Sequence, residues 1–174
     1  MDNEVIVQEL KRKSYLDIHS MDDRSYHYIP YKMDSKFEIE FYKKLLTLSK
    51  IQDLGLEVYY NGDRGLTDFH IRCYKIRDKS WIYLGKYTPD FLIIHRTNNI
   101  IDKMLLIETK GGIYSSEPIF RAKKEFIERE FIKRNNEKYG YRRFDYLYVE
   151  DTMDDTNRNN MVVKLIDDFF TECD

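Results

Sequence analysis

Tyr87-Thr88-Pro89-Asp90-Phe91-Leu92-Ile93-Ile94-His95, followed after a loop by Met104-Leu105-Leu106-Ile107-Glu108-Thr109-Lys110-Gly111-Gly112, is the stretch that decides the fold. Each run is apolar, rich in strand-forming residues and bounded by Pro, Asn or Gly, which predicts two neighbouring strands. Side chains alternate along a strand, so Met104, Leu106, Glu108 and Lys110 share one face, and Leu105, Ile107 and Thr109 the other. A face that is oily for two positions and then carries an acid and a base is leaving the core and entering a site. Asp90 follows a proline that fixes the backbone and lacks an N–H, which suits the opening of a strand. Glu108 lies eighteen positions later (108 − 90), so adjacent strands would bring two carboxylates and a lysine together. Burying a carboxylate without a partner is costly. A divalent cation offsets that cost, and oxygen-only ligands favour Mg²⁺, with Mn²⁺ as substitute, over zinc. Gly111-Gly112 ends the strand and leaves the backbone room to approach a ligand.

Upstream, Ser35 with Glu38 three residues later has the spacing of a capping box, and Phe37, Phe41, Leu45 and Leu48 mark an apolar stripe ending near Lys50. Together they predict a helix. Val58-Tyr59-Tyr60 reads as a short strand before an Asn61-Gly62-Asp63 turn, and residues 69–76 and 81–85 read as strands around Arg77-Asp78-Lys79. Downstream, residues 119–136 read as a helix closed by Gly140, residues 144–149 as a strand, and residues 159–170 as a last helix. Residues 1–33 carry no clear periodicity beyond a short strand or helix at 5–10, and the Tyr, His and Pro cluster at 26–31 reads as extended. This order predicts an α/β fold, a mixed β-sheet flanked by α-helices. One domain is expected over 1–174: an N-terminal extension (1–33), a core (34–150) and an acidic C-terminal helix (151–174). A phosphate-cradling G-x-x-x-x-G-K-[ST] is absent, which excludes an ATPase of that type.

A chain of 174 residues with 42% hydrophobic and 15% aromatic content can bury one core without staples. No apolar run reaches the ~20 residues of a membrane helix, and the first residues lack the blocks of a secretion signal. A membrane is therefore not an expected partner, and a cytoplasmic location is. Cys73 and Cys173, the two cysteines, have neither disulfide nor zinc spacing. The net charge of −2 hides an asymmetry: from Arg121 to Arg143 nine bases face four acids, and from Glu150 to Asp174 eight acids face two bases. The basic segment reads either as a cradle for a phosphate backbone or as a solvated helix with i,i+4 pairs such as Glu125 with Arg129.

Several side chains keep two readings. Glu38 reads as the capping partner of Ser35 and borders the apolar face of its helix; a second reading comes with the resemblance given below. Lys123 has apolar helix neighbours in Ile119, Phe120, Phe126 and Ile127, so its stem snorkels along the core or its head reaches the site; Lys124 reads as a surface lysine. Lys110 orients or deprotonates a water, stabilises developing charge, or forms a salt bridge with Glu108. Thr109 points to the opposite face and packs. The four histidines (His19, His27, His70, His95) lack metal spacing; His95 is expected to be exposed. Fifteen tyrosines could stack on bases, though cores and sheet faces account for most of them.

Pro89-Asp90 with Glu108-Thr109-Lys110 resembles the PD-(D/E)xK nuclease superfamily. Within it, Tyr87-Thr88-Pro89-Asp90-Phe91, Glu108-Thr109-Lys110-Gly111 and Ser35-Lys36-Phe37-Glu38 look most like the nuclease domain of type III restriction enzyme Res subunits, over roughly residues 34 to 150. The resemblance implies a restriction-endonuclease-like fold and Mg²⁺-dependent endonucleolytic hydrolysis of double-stranded DNA, leaving 5′-phosphate and 3′-hydroxyl ends. It implies Asp90, Glu108, Glu38 and the Thr109 backbone carbonyl as metal ligands, with Lys110 and Lys123 as catalytic lysines. As partners it implies DNA, helicase/ATPase and methyltransferase subunits of a restriction system, and a homodimer where both strands are cut. The alternatives are a nucleic-acid-binding or scaffold subunit that retains the fold without catalysis, and a repair or junction nuclease of the same superfamily.

Overall fold

The computed structural model describes residues 35–62, 69–110 and 117–171. In chain order it contains helices α1 (Lys36–Leu46) and α2 (Ser49–Asp53), then strands β1 (Glu57–Tyr60), β2 (Ile71–Arg77), β3 (Ser80–Tyr87), β4 (Phe91–Thr97) and β5 (Ile100–Lys110). A long helical segment follows as α3 (Pro118–Phe126), a π-helical stretch (Ile127–Ile132) and α4 (Lys133–Tyr139), before strand β6 (Phe144–Glu150) and helix α5 (Asp155–Thr171).

β1, β4, β5 and β6 form one mixed sheet in that order, with β1–β4 and β4–β5 antiparallel and β5–β6 parallel. A parallel neighbour needs a crossover connection, and α3, the π stretch and α4 supply it. β2 and β3 form a separate antiparallel hairpin. The alternation read from the sequence sorts the sheet's two faces. Val58, Tyr60, Phe91, Ile93, Leu105, Ile107, Leu147 and Val149 pack with α1, α2 and α5 on one side. Leu92, Ile94, Met104 and Leu106 pack with the hairpin, Phe120 and Ile127 on the other. The fold is therefore α/β, a mixed sheet flanked by helices.

Phe91 anchors the first face: it is fully buried and meets the rings of Phe41, Tyr42 and Tyr60 at centroid distances of 5.5, 5.8 and 5.3 Å. Truncating such a residue to Ala costs about 3–5 kcal/mol. α1 starts where the capping box sets it, with the Glu38 amide donating to Ser35 Oγ at 3.1 Å. At the far end of the crossover Gly140 takes φ 77° as the left-handed cap.

Some boundaries move from the sequence expectation for physical reasons. The first motif strand does not begin at Tyr87: Tyr87 ends β3, residues 88–90 make the passage between hairpin and sheet, and β4 starts at Phe91. Pro89 has no N–H to give a ladder, and the Thr109 amide is taken by the Asp90 side chain instead of a strand. The loop expected before Met104 contracts to a two-residue turn, because Asn98 and Asn99 adopt φ 52° and 63°, the left-handed pair that a tight hairpin requires. The first helix ends at Leu46 and a separate α2 follows. The final helix starts four residues earlier than expected (159 − 155), at Asp155. The expectations for residues 5–10 and 26–31, Asp63, Gly111-Gly112, Cys173, His19 and His27 lie outside the described residues. No helix among the described residues is long and apolar enough to cross a membrane.

Candidate active site

The site lies at the end of the sheet where β5 outruns β4. Phe91 pairs with Ile107, so beyond that register β5 continues through Glu108, Thr109 and Lys110 without a β4 residue opposite. Asp90 fills the gap with its side chain: its Oδ2 accepts from the Thr109 amide at 2.8 Å and from Thr109 Oγ1 at 2.7 Å. The Thr109 side chain was expected to pack on the opposite face; its hydroxyl instead fixes the first acid. Both bonds fall on Oδ2, which leaves Oδ1 as the oxygen open to a ligand. The N–H and C=O of one strand residue point to the same side, so the Thr109 carbonyl also faces Asp90.

The second acid is held more tightly. Glu108 is 4% exposed and lies on the face of Met104 and Leu106, as the alternation required. Tyr87 donates its hydroxyl to Glu108 Oε2 at 2.8 Å and is itself 3.1 Å from the Tyr146 hydroxyl. Lys110 Nζ stands 3.6 Å from Glu108 Oε1 and 5.0 Å from the centre of the Phe120 ring. The carboxylate thus has one oxygen on a tyrosine and the other toward an ammonium.

Electrostatics mark the pair as strained in its charged form. Burial pushes Glu108 up to about 8, with the Asp90 charge adding to it and Tyr87 and Lys110 opposing. Burial likewise pushes Asp90 up to about 6; the Thr109 bonds oppose this, Glu38 raises it further and Lys110 lowers it. Asp90 is crowded on one side only and keeps part of its surface open. Two interacting carboxyls whose environment disfavours both charges are an arrangement that a cation would relieve. Tyr87 and Tyr146 are also driven up, first by burial and then by the Glu108 charge, so both serve as hydrogen-bonding hydroxyls.

Glu38 is the capping partner of Ser35, and its charge is felt by Asp90. Ser35 Oγ donates to its Oε1 and the Tyr60 hydroxyl to its Oε2, each at 3.0 Å. Gly62 makes the Tyr60 bond possible, since a Cβ there would sit 2.6 Å from the Tyr60 hydroxyl. Its glycine serves a close approach.

The two helix lysines take different partners. Lys123 Nζ donates to the Lys86 carbonyl at 2.6 Å, beside Gly85 at φ 106°, and so fastens the β2–β3 hairpin to α3. Lys124 lies over the rings of Tyr146 and Tyr148 at 5.9 and 5.3 Å and pairs with Glu128. The crossover also carries the i,i+4 pairs Glu125–Arg129, Glu130–Arg134 and Lys133–Glu137, so much of its charge is paired along the helix. His95 is half-buried beside Asp102 at 3.3 Å, remote from the acids.

Sequence reasoning missed Asn61 and the function of Tyr87. Asn61, read as a turn residue, is buried; its Nδ2 donates to the carbonyls of Phe69 and Pro89 at 2.9 Å each, and its amide to the Asp90 carbonyl at 2.6 Å. It ties the end of β1 to the passage that carries Asp90. Tyr87 appeared only as the first letter of the Tyr-x-Pro-Asp-Phe run, and that position was its one signal. Among the described residues no three His, Cys, Asp or Glu side chains are grouped as a ready-made metal cluster. Asp90, Glu108 and the Thr109 carbonyl instead suit an ion that keeps several waters and takes only one or two protein carboxylates, as Mg²⁺ does. Comparison of the chain with protein-family models, with curated proteins and with solved structures finds no match.

Proposed function

We propose that this chain is a divalent-metal-dependent endonuclease of the PD-(D/E)xK type that hydrolyses phosphodiester bonds of DNA, with Mg²⁺ as its ion and Mn²⁺ as a substitute. The observation that carries the reading is the meeting of Asp90, Glu108 and Lys110 at one sheet end, both acids pushed up by burial, Glu108 further by the Asp90 charge and Asp90 further by that of Glu38. A chance motif would leave such charges scattered or solvated; here the fold keeps two poorly tolerated carboxylates beside an ammonium.

Asp90 Oδ1, a Glu108 oxygen and the Thr109 carbonyl would hold the ion, with Glu38 positioned to orient one of its waters. A bound divalent ion polarises a phosphate oxygen and acidifies a water. Thr109 keeps Asp90 in place through two bonds, and Tyr87 keeps the Glu108 carboxylate from turning. Lys110, braced by Glu108 and the Phe120 face, presents its ammonium to the phosphate oxygen on which charge develops. The resemblance to Res-subunit nuclease domains suggests duplex DNA as substrate, and partner subunits as the source of site choice.

Supercoiled plasmid incubated with the protein and Mn²⁺ tests the proposal. Nicking and linearisation are expected with the wild type and loss of at least a hundredfold in rate with Asp90→Asn or Lys110→Ala, each still folded by circular dichroism. Cleavage by either variant at the wild-type rate would overturn the assignment. A folded wild type that binds DNA without cutting any substrate would favour the scaffold reading.

A further inference from the structure

A cleft of about 450 Å³ opens between the β2–β3 hairpin and the π-helical stretch, walled by Tyr74, Trp81, Phe126 and Phe131 and edged by Glu130, Arg134 and Asn135. That volume falls within the range of about 300–1,000 Å³ usual for small-ligand sites. Its walls are flat: Trp81 meets Phe126 edge-on at 6.2 Å and Tyr74 edge-on at 6.5 Å, and the Arg134 guanidinium lies 5.5 Å over the Trp81 ring. Trp81 remains 48% exposed. The π stretch, bonded i to i+5, brings Phe126 and Phe131 to the same side, a register that an α-helix does not give. Polar atoms wait at the rim. Arg134 Nε is spent on Glu130 at 2.6 Å, leaving its terminal nitrogens, and Asn135 Nδ2 is spent on the Phe131 carbonyl at 2.7 Å, leaving its Oδ1.

The surroundings choose the occupant. Residues 71–87 of the hairpin carry five bases (Arg72, Lys75, Arg77, Lys79, Lys86) against one acid, Asp78. Ile76 and Tyr83 stand exposed among them. Rings interleaved with cations fit a nucleic-acid strand, whose bases stack and whose phosphates are negative; an apolar protein partner would not need the charges. The location agrees. Phe120, under Lys110, and Phe126, in the cleft wall, are six positions apart on one helix, about 9 Å along its axis. Lys123 clamps the hairpin to that same helix.

We propose that this cleft stacks one unpaired nucleobase close to the phosphate being cut, so that the substrate is DNA with unpaired nucleotides beside the cleavage point. The position of the cut rests on the nuclease reading above; the base site does not. Trp81 is the single tryptophan of the chain, so its emission reports on the cleft alone. The test titrates the full chain, in EDTA so that nothing is cut, with an unlabelled single-stranded oligonucleotide and with the blunt duplex it forms with its complement. Quenching by the single strand and not by the blunt duplex is expected. In parallel, fluorescence anisotropy of a labelled single strand should show affinity about tenfold or more weaker for Trp81→Leu and Arg134→Ala, each checked for native fold by circular dichroism, and unchanged for Glu40→Gln, an exposed position of α1 on the other face of the sheet. No quenching, equal quenching by paired and unpaired strands, or unaltered affinity in both cleft variants overturns the inference. A Trp81 signal that follows protein concentration and ignores DNA assigns the cleft to a second copy and also overturns it. Quenching without Mn²⁺-dependent cleavage of either plasmid or a duplex carrying an unpaired loop would sink the nuclease reading and leave the base site standing; cleavage without quenching would do the reverse.

Discussion

Glu108 costs the folded chain something at neutral pH, because burial disfavours its charge. A carboxyl 4% exposed, with a tyrosine on one oxygen and an ammonium 3.6 Å from the other, has fewer partners than its charge needs. Glutamine at the same place keeps an acceptor for Tyr87 and removes the charge. Glu108→Gln should therefore raise the melting temperature of the metal-free protein by several degrees at pH 8 and by little at pH 5, where Glu108 is already protonated. The same variant should lose the stabilisation that Mn²⁺ gives the wild type. Differential scanning fluorimetry with and without Mn²⁺ measures both, and a Gln variant less stable at pH 8 would show that the residue is structural. Asn61 and Thr109 act at the same scale by contrasting means: each binds Asp90 or its passage through short bonds, and neither has a partner that its neighbours in sequence reveal.

The strands and the motif helix were legible because their signals are local. Period-two alternation set Glu108 and Lys110 on one face, and the Ser35–Glu38 spacing set the start of α1. What could not be read depends on residues distant in sequence. Thr109 alternates away from Glu108 as expected, yet its hydroxyl reaches Asp90 because β4 stops two residues short of it. The basic helix was legible as a helix but not its π stretch, which the periodicity of residues 119–136 does not announce. Lys123 and Lys124 differ by a single position, and only the packed hairpin decides which of them faces it. The clamp follows from that packing: Lys123 Nζ on the Lys86 carbonyl is the polar link between α3 and β3 beside Gly85. Lys123→Ala should speed amide exchange across residues 80–87 by about tenfold, in line with loss of a charged hydrogen bond, while leaving Mn²⁺ affinity within twofold of wild type. Hydrogen exchange read by mass spectrometry together with calorimetric titration checks the pair of outcomes. A large fall in Mn²⁺ affinity would return Lys123 to the acids.

At the scale of the molecule, the sheet separates charge as well as apolar surface. α5, with three acids against two bases, packs on the face shared with α1, whereas the basic crossover and the basic hairpin cover the other face, so a polyanion is drawn toward the hairpin side. Between the faces, at the sheet end, sit the two acids, and they link global stability to pH. Glu108 and Asp90 are raised from ordinary values of 4.5 and 3.8 to about 8 and about 6. A carboxyl raised on folding contributes stability below its unfolded value and loses that contribution as pH climbs through its folded value. For the metal-free chain this contribution therefore falls between about pH 4 and pH 8, by an amount on the order of a few kcal/mol. A bound divalent ion requires the deprotonated acids and reverses the trend, because its affinity rises as the protons leave. The stabilisation by saturating Mn²⁺ should thus be small at pH 5 and grow to several degrees in melting temperature by pH 8, and it should vanish in Asp90→Asn at both. Thermal unfolding at the two pH values with Mn²⁺ or EDTA makes the comparison. Stabilisation that is equal at both, or that survives in Asp90→Asn, would place the ion elsewhere on the protein and leave the buried acids without a cation to explain them.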